Sequence, residues 1–96
     1  MLYEIGVGMD DIIVSEHAFK HGVAQEDIEY AWEHFHRKQY RGAPNEGEIV
    51  LIGPDRQGRP LQIVAAERGF GTIVYHAMRP PTQNVLKELG LERRRG

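Results

Sequence analysis

The sequence predicts an α+β domain with two layers: an antiparallel sheet of four or five strands, two N-terminal helices on one face and a short C-terminal helix. Three observations favour this fold class. Apolar residues recur at helical spacing in the first third of the chain, strand-like runs separated by short turns fill the middle, and a proline pair followed by a second amphipathic segment comes last. Strands joined by short turns are antiparallel, and helices grouped before them pack on one face.

Two helices are predicted ahead of the sheet. After an apolar strand at residues 11–14, Ser15 is a suitable N-cap for a first helix that runs to His21 and ends at Gly22. The second helix runs from Gln25 to Phe35, since its apolar residues form one stripe of a 3.6-residue period: Ile28, Ala31, Trp32 and Phe35. Residues 1–10, with two glycines, read as a short strand or a loop.

The middle of the chain predicts the sheet. Residues 37–41 form an edge strand, residues 48–52 a strand that ends at a Gly-Pro-Asp turn, and residues 61–66 and 72–78 a hairpin around Gly69-Phe70-Gly71. Pro80-Pro81 ends the sheet because proline cannot donate to a strand ladder. Thr82 is the expected N-cap of the last helix, which stops at Gly90 with Leu91 as a Schellman-type contact.

The hairpin carries polar side chains that a core strand does not need: Glu67, Arg68, Tyr75, His76 and Arg79. If Gly69 and Phe70 form the tip, Glu67 pairs with Thr72, Ala65 with Val74 and Ile63 with His76. Alternation then places Glu67, His76 and Met78 on one face and Tyr75 and Arg79 on the other. A one-residue bulge would change which of these side chains share a face.

Composition limits the classes of function. The chain has 96 residues, is expected to form a single domain over residues 1–96, and contains no cysteine, which excludes thiolate catalysis and Cys-ligated zinc. It has no apolar run long enough to span a bilayer, and its N-terminus lacks the pattern of a secretory signal, so a cytoplasmic location is expected. The net charge is −2, so a nucleic-acid site would need a local basic patch, such as the arginines of the second half and Arg93–Arg95.

Two kinds of site are candidates. His76 suits general acid–base chemistry because its ordinary pKa lies near neutrality, and Arg68 and Arg79 can bind a phosphate. The alternative is that these are solvated charges beside a turn. His17 and His21, four residues apart, could share a metal ion, although no HExxH motif is present. We expect neither metal nor cofactor, and favour His17 or Lys20 as part of a phosphate site.

Two segments of the chain together carry a resemblance to a known family. Residues 16–32 read EHAFKHGVAQEDIEYAW, with Lys-His-Gly-Val followed by acidic residues and an amphipathic helix. This segment resembles BrnT-type toxins of bacterial type II toxin–antitoxin systems, which have a similar K-H-G-V/I start. Residues 52–79 read IGPDRQGRPLQIVAAERGFGTIVYHAMR, similar to that family's I-G-x-x-x-x-G-R-x-L…E-R…I-x-x-A-R pattern. Where the family commonly has I-S-A-R, this chain has Tyr75-His76-Ala77-Met78-Arg79, so a histidine is present and the arginine is shifted by one residue.

The resemblance implies a RelE-like fold and a metal-independent endoribonuclease, a hydrolase that acts on RNA and is neutralised by a small ribbon-helix-helix antitoxin. It implies catalytic roles for Glu67, Arg68 and Arg79, to which the residues themselves add His76. Lys20, His21 and Tyr75 are the predicted substrate-binding residues. RNA and the antitoxin are the expected partners, with a homodimer as a further candidate and no membrane association. The alternative function is a non-catalytic binding module of the same fold that holds a protein or nucleic-acid partner.

Overall fold

The computed structural model describes residues 2–5, as a strand only, and residues 12–91. Six strands, one 3-10 helix and two α-helices follow in chain order: β1 (Leu2–Ile5), β2 (Ile12–Ser15), the 3-10 helix (Glu16–Phe19), α1 (Gln25–Glu33), β3 (Arg37–Tyr40), β4 (Glu48–Pro54), β5 (Pro60–Arg68), β6 (Gly71–Met78) and α2 (Gln83–Glu88). The arginine tail at residues 93–95, considered above as a basic patch, lies outside the described residues.

The strands form one sheet in the order β1-β2-β6-β5-β4-β3. The α+β class is confirmed, but the prediction of a purely antiparallel sheet of four or five strands was wrong. The sheet has six strands and is mixed, because β2 pairs in parallel with β6 while the other neighbours are antiparallel. Short turns indicate the antiparallel run from β3 to β6. The parallel pair joins strands far apart in sequence, with the 3-10 helix, α1 and strands β3 to β5 between them, and leaves no turn signal.

Helices cover both faces of the sheet, so the two-layer arrangement was also wrong. Alternate residues of the central strands, among them Ile49, Leu51, Ile63 and Ala65, pack with Ile28, Ala31 and Trp32 of α1 on what we call face A. Their neighbours Val50, Ile52 and Val64 pack with Val85 and Leu89 of α2 on face B. Burial on both faces explains why β4 and β5 read as nearly continuous apolar runs.

The two predicted N-terminal helices differ from expectation in length. The first is a 3-10 helix of four residues, capped as predicted by the Ser15 hydroxyl, which accepts from the backbone N–H of His17 at 3.3 Å. It stays short because Gly22, at φ +77°, turns the chain away. The second, α1, ends at Glu33, two residues before the predicted end, and leaves Phe35 41% exposed.

The last helix has the ends that were predicted. The Thr82 side chain accepts from the backbone N–H of Val85 at its N-terminus. At its C-terminus the N–H of Leu91 donates to the carbonyl of Leu86 at 2.8 Å and that of Gly90 to the carbonyl of Lys87 at 3.1 Å, which is the Schellman pattern. No helix within the described part of the chain is long and apolar enough to cross a membrane.

A candidate anion-binding cleft

A β-bulge at Tyr75 sets the geometry of the hairpin. From the tip, Glu67 pairs with Thr72 and Ala65 with Val74, as predicted, but the next pair is Val64 with His76, so Tyr75 is an extra residue in β6. The predicted pairing of Ile63 with His76 was therefore wrong; Ile63 pairs with Ala77. A bulge of this kind lets two consecutive side chains point to the same face.

The bulge brings His76 to the side of the sheet that Tyr75 occupies. His76 pairs with Val64 of face B, and Tyr75 packs against the cluster of that face. Glu67, predicted to share a face with His76, instead lies on face A, where the Tyr40 hydroxyl donates to its carboxylate at 3.3 Å. The bulge thus unites Tyr75 and His76 and separates both from Glu67.

Beside these two side chains lies a cleft of about 390 Å³. Its lining comes from four parts of the chain: His17, Lys20, His21, Arg41, Val64, Tyr75 and His76. The 3-10 helix is anchored by Ala18, which is fully buried in the core, while His17, Lys20 and His21 remain exposed. Hence three imidazoles, a lysine, an arginine and a phenol share one concave surface, a combination suited to an anion.

His76 and His21 form the centre of the cleft. Their rings meet edge to face with centroids 5.5 Å apart. Burial of the His76 ring lowers the pKa of its imidazole, and the nearby charges of His21 and Lys20 lower it further. His76 is thereby biased towards its neutral form at neutral pH. On its other side, His76 Nε2 lies 3.1 Å from the amide nitrogen of Gln62.

Tyr75 belongs to a network of charged side chains along one wall of the cleft. Its hydroxyl donates to Glu48 Oε2 at 2.8 Å, and Arg41 binds Glu48 at 2.7 Å. Arg41 also makes a two-pronged pair with Glu88 of α2, at 2.8 and 2.9 Å. Burial and the bond to Glu48 raise the pKa of Tyr75 to about 12, so its hydroxyl stays protonated and works as a donor.

Arg41 is the cleft residue that sequence reasoning missed. It follows a weak edge strand in sequence, and its partners Glu48 and Glu88 come from β4 and α2. Hydrogen bonds from Arg41 and then Tyr75 hold the pKa of the Glu48 carboxyl below its usual value, and the bond from Arg41 does the same for Glu88. Arg41 therefore already pairs with two carboxylates. Lys20 is also a cation of the cleft, and the ion pairs seen within residues 12–91 do not include it.

Arg68 lies at the rim, beyond the lining of the cleft. Its side chain is exposed at the end of β5, and one guanidinium nitrogen donates to the backbone carbonyl of Glu67 at 3.2 Å. It is near enough to Glu48 and Tyr75 for its charge to lower the pKa of each. A long, exposed side chain at this position can reach an anion that extends out of the cleft.

Arg79 is placed elsewhere, in a cluster of ion pairs at the opposite end of β6. Its Nη2 lies 3.3 Å from Asp27 Oδ2 and its Nε 3.0 Å from Asp55 Oδ2, the latter without the angle of a hydrogen bond. Both carboxylates are buried and hold a second arginine, Arg56 for Asp27 and Arg59 for Asp55. The structure thus brings together His76, Tyr75, Lys20 and His21, with Arg68 nearby, and leaves Glu67 and Arg79 outside.

The pair considered as a metal site, His17 and His21, lines the same cleft. Within the described residues, no group of three or more His, Cys, Asp or Glu side chains is arranged to hold a metal ion. In the cleft, the two imidazoles are candidate hydrogen-bonding or proton-transfer groups.

Comparison with protein-family models, with curated proteins and with solved structures gave no match for this chain.

Proposed function

We propose that the chain is a metal-independent endoribonuclease that binds an RNA phosphate in the cleft. The observation that carries the proposal is the convergence of His17, Lys20, His21, Tyr75 and His76 on one concave surface of an overall acidic protein. A protein of net charge −2 gains little general attraction for RNA, so a focused cluster of donors is the feature that favours a phosphate ligand. Single-stranded RNA can present a phosphate and its neighbouring ribose to such a cleft.

The groups in the cleft match the needs of RNA cleavage. A base removes the proton of a ribose 2′-hydroxyl, the 2′-oxygen attacks the adjacent phosphorus, and the bond from phosphorus to the 5′-oxygen breaks. An acid returns a proton to that 5′-oxygen, leaving a 2′,3′-cyclic phosphate and a 5′-hydroxyl. Imidazoles supply proton transfer near neutral pH, while Lys20, Arg68 and the Tyr75 hydroxyl stabilise negative charge on the phosphate oxygens. All of these groups are side chains, so the proposed reaction uses no metal.

The biological setting is part of the same proposal: a RelE-like toxin of a bacterial toxin–antitoxin pair, acting in the cytoplasm. It is supported by the similarity of residues 16–32 and 52–79 to BrnT-type toxins, a similarity that includes Lys20 and His21 of the cleft. A small antitoxin of the ribbon-helix-helix type would cover the cleft and block RNA. Growth arrest on expression, relieved by co-expression of the neighbouring short reading frame, is the expected result in cells.

Cleavage of single-stranded RNA by the purified protein, with a chelator present, tests the activity. We expect a 2′,3′-cyclic phosphate product, and no cleavage where the attacking ribose lacks its 2′-hydroxyl. Replacing His21 with alanine should slow cleavage about 10²–10⁴-fold, the usual contribution of a proton-transfer group. His34→Ala is the matched control, since His34 is the C-cap of α1, stacks on Tyr30 and does not line the cleft. Equal loss in both variants, or cleavage that needs added metal, would contradict the proposal.

A second candidate function is a non-catalytic binding module. It is favoured by β3, which is an edge strand of the sheet and carries Tyr40 with 55% of its surface exposed. Exposed strand edges can accept a strand from another chain. This function predicts a stable complex with RNA or a protein partner, no cleavage by the wild-type protein and no growth arrest. Binding to RNA that survives intact after long incubation would favour it.

A further inference from the structure

A buried glutamine connects the cleft to the start of α2. Gln62 lies on β5, is 4% exposed, and is a polar residue in an otherwise apolar stretch of that strand. Its side-chain oxygen accepts from the backbone N–H of Thr82 at 2.8 Å and from the Thr82 hydroxyl at 3.1 Å. Its side-chain nitrogen lies 3.1 Å from His76 Nε2. Gln62 therefore has partners on both sides of its amide.

The direction of each hydrogen bond follows from chemistry. A backbone N–H can only donate, so the Gln62 atom facing Thr82 must be the oxygen and the atom facing His76 the NH₂ group. An NH₂ group can only donate, so His76 Nε2 must accept through its lone pair. In a neutral imidazole the proton then resides on the other ring nitrogen, Nδ1.

We propose that Gln62 fixes His76 as the neutral tautomer with its proton on Nδ1, so that His76 meets an anion in the cleft as a hydrogen-bond donor and does not act as the general base. A proton on Nε2 would face the Gln62 NH₂ group, which disfavours both the imidazolium and the other tautomer. The backbone N–H of Thr82 holds the Gln62 oxygen, so the NH₂ group must face His76. Thr82 is itself held in place as the N-cap of α2.

The surroundings of His76 act in the same direction. The titratable groups that line the cleft with it are His17, Lys20, His21, Arg41 and Tyr75. The 3-10 helix contributes imidazoles and a cation, and Arg41 is paired with Glu48 and Glu88. Of these neighbours, His21 and Lys20 lower the pKa of His76, in addition to its burial. Among the described residues that line the cleft none is a carboxylate, which would favour the imidazolium.

This inference rests on the proposed function only in taking the anion to be an RNA phosphate. A neutral imidazole that donates from a fixed tautomer can stabilise developing negative charge, as in known enzymes that use neutral histidine as an electrophile. The proton that leaves the 2′-hydroxyl must then go to another base. His21, whose ring contacts that of His76 and whose side chain is exposed in the cleft, is placed for that role.

Imidazole nitrogen NMR on the labelled full chain tests the assignment without relying on catalysis. We expect the His76 signals of the Nδ1–H tautomer at neutral pH in the wild-type protein. Gln62→Glu should reverse the tautomer and raise the pKa of His76, because a carboxylate there accepts a proton from Nε2. Gln62→Leu should relax the preference. A wild-type Nε2–H tautomer overturns the proposal, whether or not the variants fold.

Two further readouts separate this inference from the proposed function. Titration with inorganic phosphate should perturb the Nδ1 signal of His76; an unaffected signal at saturating phosphate would overturn the donor role. In RNA cleavage, His76→Gln, which keeps a donor, should retain activity within about tenfold, whereas His21→Ala should lose about 10²–10⁴-fold. If the wild-type chain cleaves no RNA while the tautomer and phosphate results hold, the proposed function fails and the anion-donor assignment stands.

Discussion

Replacement of Arg79 by alanine separates a structural role from a catalytic one. The resemblance implies catalysis for this arginine, whereas the structure pairs it with Asp27 and Asp55 away from the cleft. Removing one partner of a buried ion pair costs about 3–5 kcal/mol when the other charge is left alone. Here each carboxylate keeps a second arginine, and Asp55 also accepts from two backbone N–H groups. We therefore expect a loss of about 2–3 kcal/mol.

Urea denaturation, followed by the fluorescence of buried Trp32, measures the free energy of unfolding. A domain of this size has about 5–15 kcal/mol to lose, so Arg79→Ala should remain folded in buffer. Cleavage per folded molecule should stay within about threefold of wild type, a difference of less than 1 kcal/mol. Arg59→Ala is the matched control: it removes the other cation of Asp55, but Arg59 is 56% exposed, so about 0–1 kcal/mol is expected.

The pH dependence gives an independent check on the same pairs. A side-chain hydrogen bond from Arg56 is the main cause that lowers the pKa of Asp27. Burial raises the pKa of Asp55, but the backbone N–H groups of Arg59 and Gln57 and the Arg59 charge outweigh it. A lowered carboxyl pKa gives stability that is present above the unfolded-state pKa and lost as pH falls through the folded-state pKa. The difference in free energy of unfolding between wild type and Arg79→Ala should therefore become smaller as the pH falls into the acid range.

If Arg79→Ala has the same urea midpoint of unfolding as wild type but cleaves RNA a hundredfold more slowly, Arg79 acts on the substrate. The pairs with Asp27 and Asp55 would then be incidental, and the role that the resemblance implies would hold.

Two further substitutions test the packing around the sheet. Gly53→Ala should lower the free energy of unfolding in urea by about 1–3 kcal/mol, because the added Cβ would collide with the Ala31 carbonyl and lie 3.0 Å from Phe35 Cα. An unchanged free energy of unfolding would mean that α1 does not lie this close to β4. Tyr75→Phe should cost about 1–2 kcal/mol in the same assay, since Glu48 loses one hydrogen bond but keeps Arg41; no loss would place the hydroxyl in solvent.

Sequence reasoning succeeded where the causes are local. Strand-like runs and turn residues predicted β3 to β6, and the cap at Thr82 and the Schellman end at Gly90 follow from the side chains at those positions. It failed for features set by distant partners. The parallel contact of β2 with β6, and α2 on the face opposite α1, depend on where the chain returns after a crossover.

The candidate site was predictable in part for the same reason. Tyr75 and His76 are polar side chains on a predicted core hairpin, Lys20 and His21 are candidates from the first helix and the resemblance, and the fold brings all four to one cleft. Arg41 gave no signal because only the folded chain brings Glu48 of β4 and Glu88 of α2 to its guanidinium. Gln62 does give a signal in the sequence, because it is a polar residue within an apolar strand. A buried amide needs hydrogen-bond partners, and here tertiary structure supplies them.

The bulge at Tyr75 lies in the segment, residues 75–79, where this chain departs from the toxin pattern that it resembles. In that pattern the arginine comes one residue earlier, and a one-residue shift in a regular strand would move it to the other face. The bulge adds one residue to β6, so Arg79 lies on the side of α1, where it reaches the carboxylates of Asp27 and Asp55. The same extra residue turns His76 away from α1 and into the cleft. Without the bulge, alternation along β6 would exchange the faces of these two side chains.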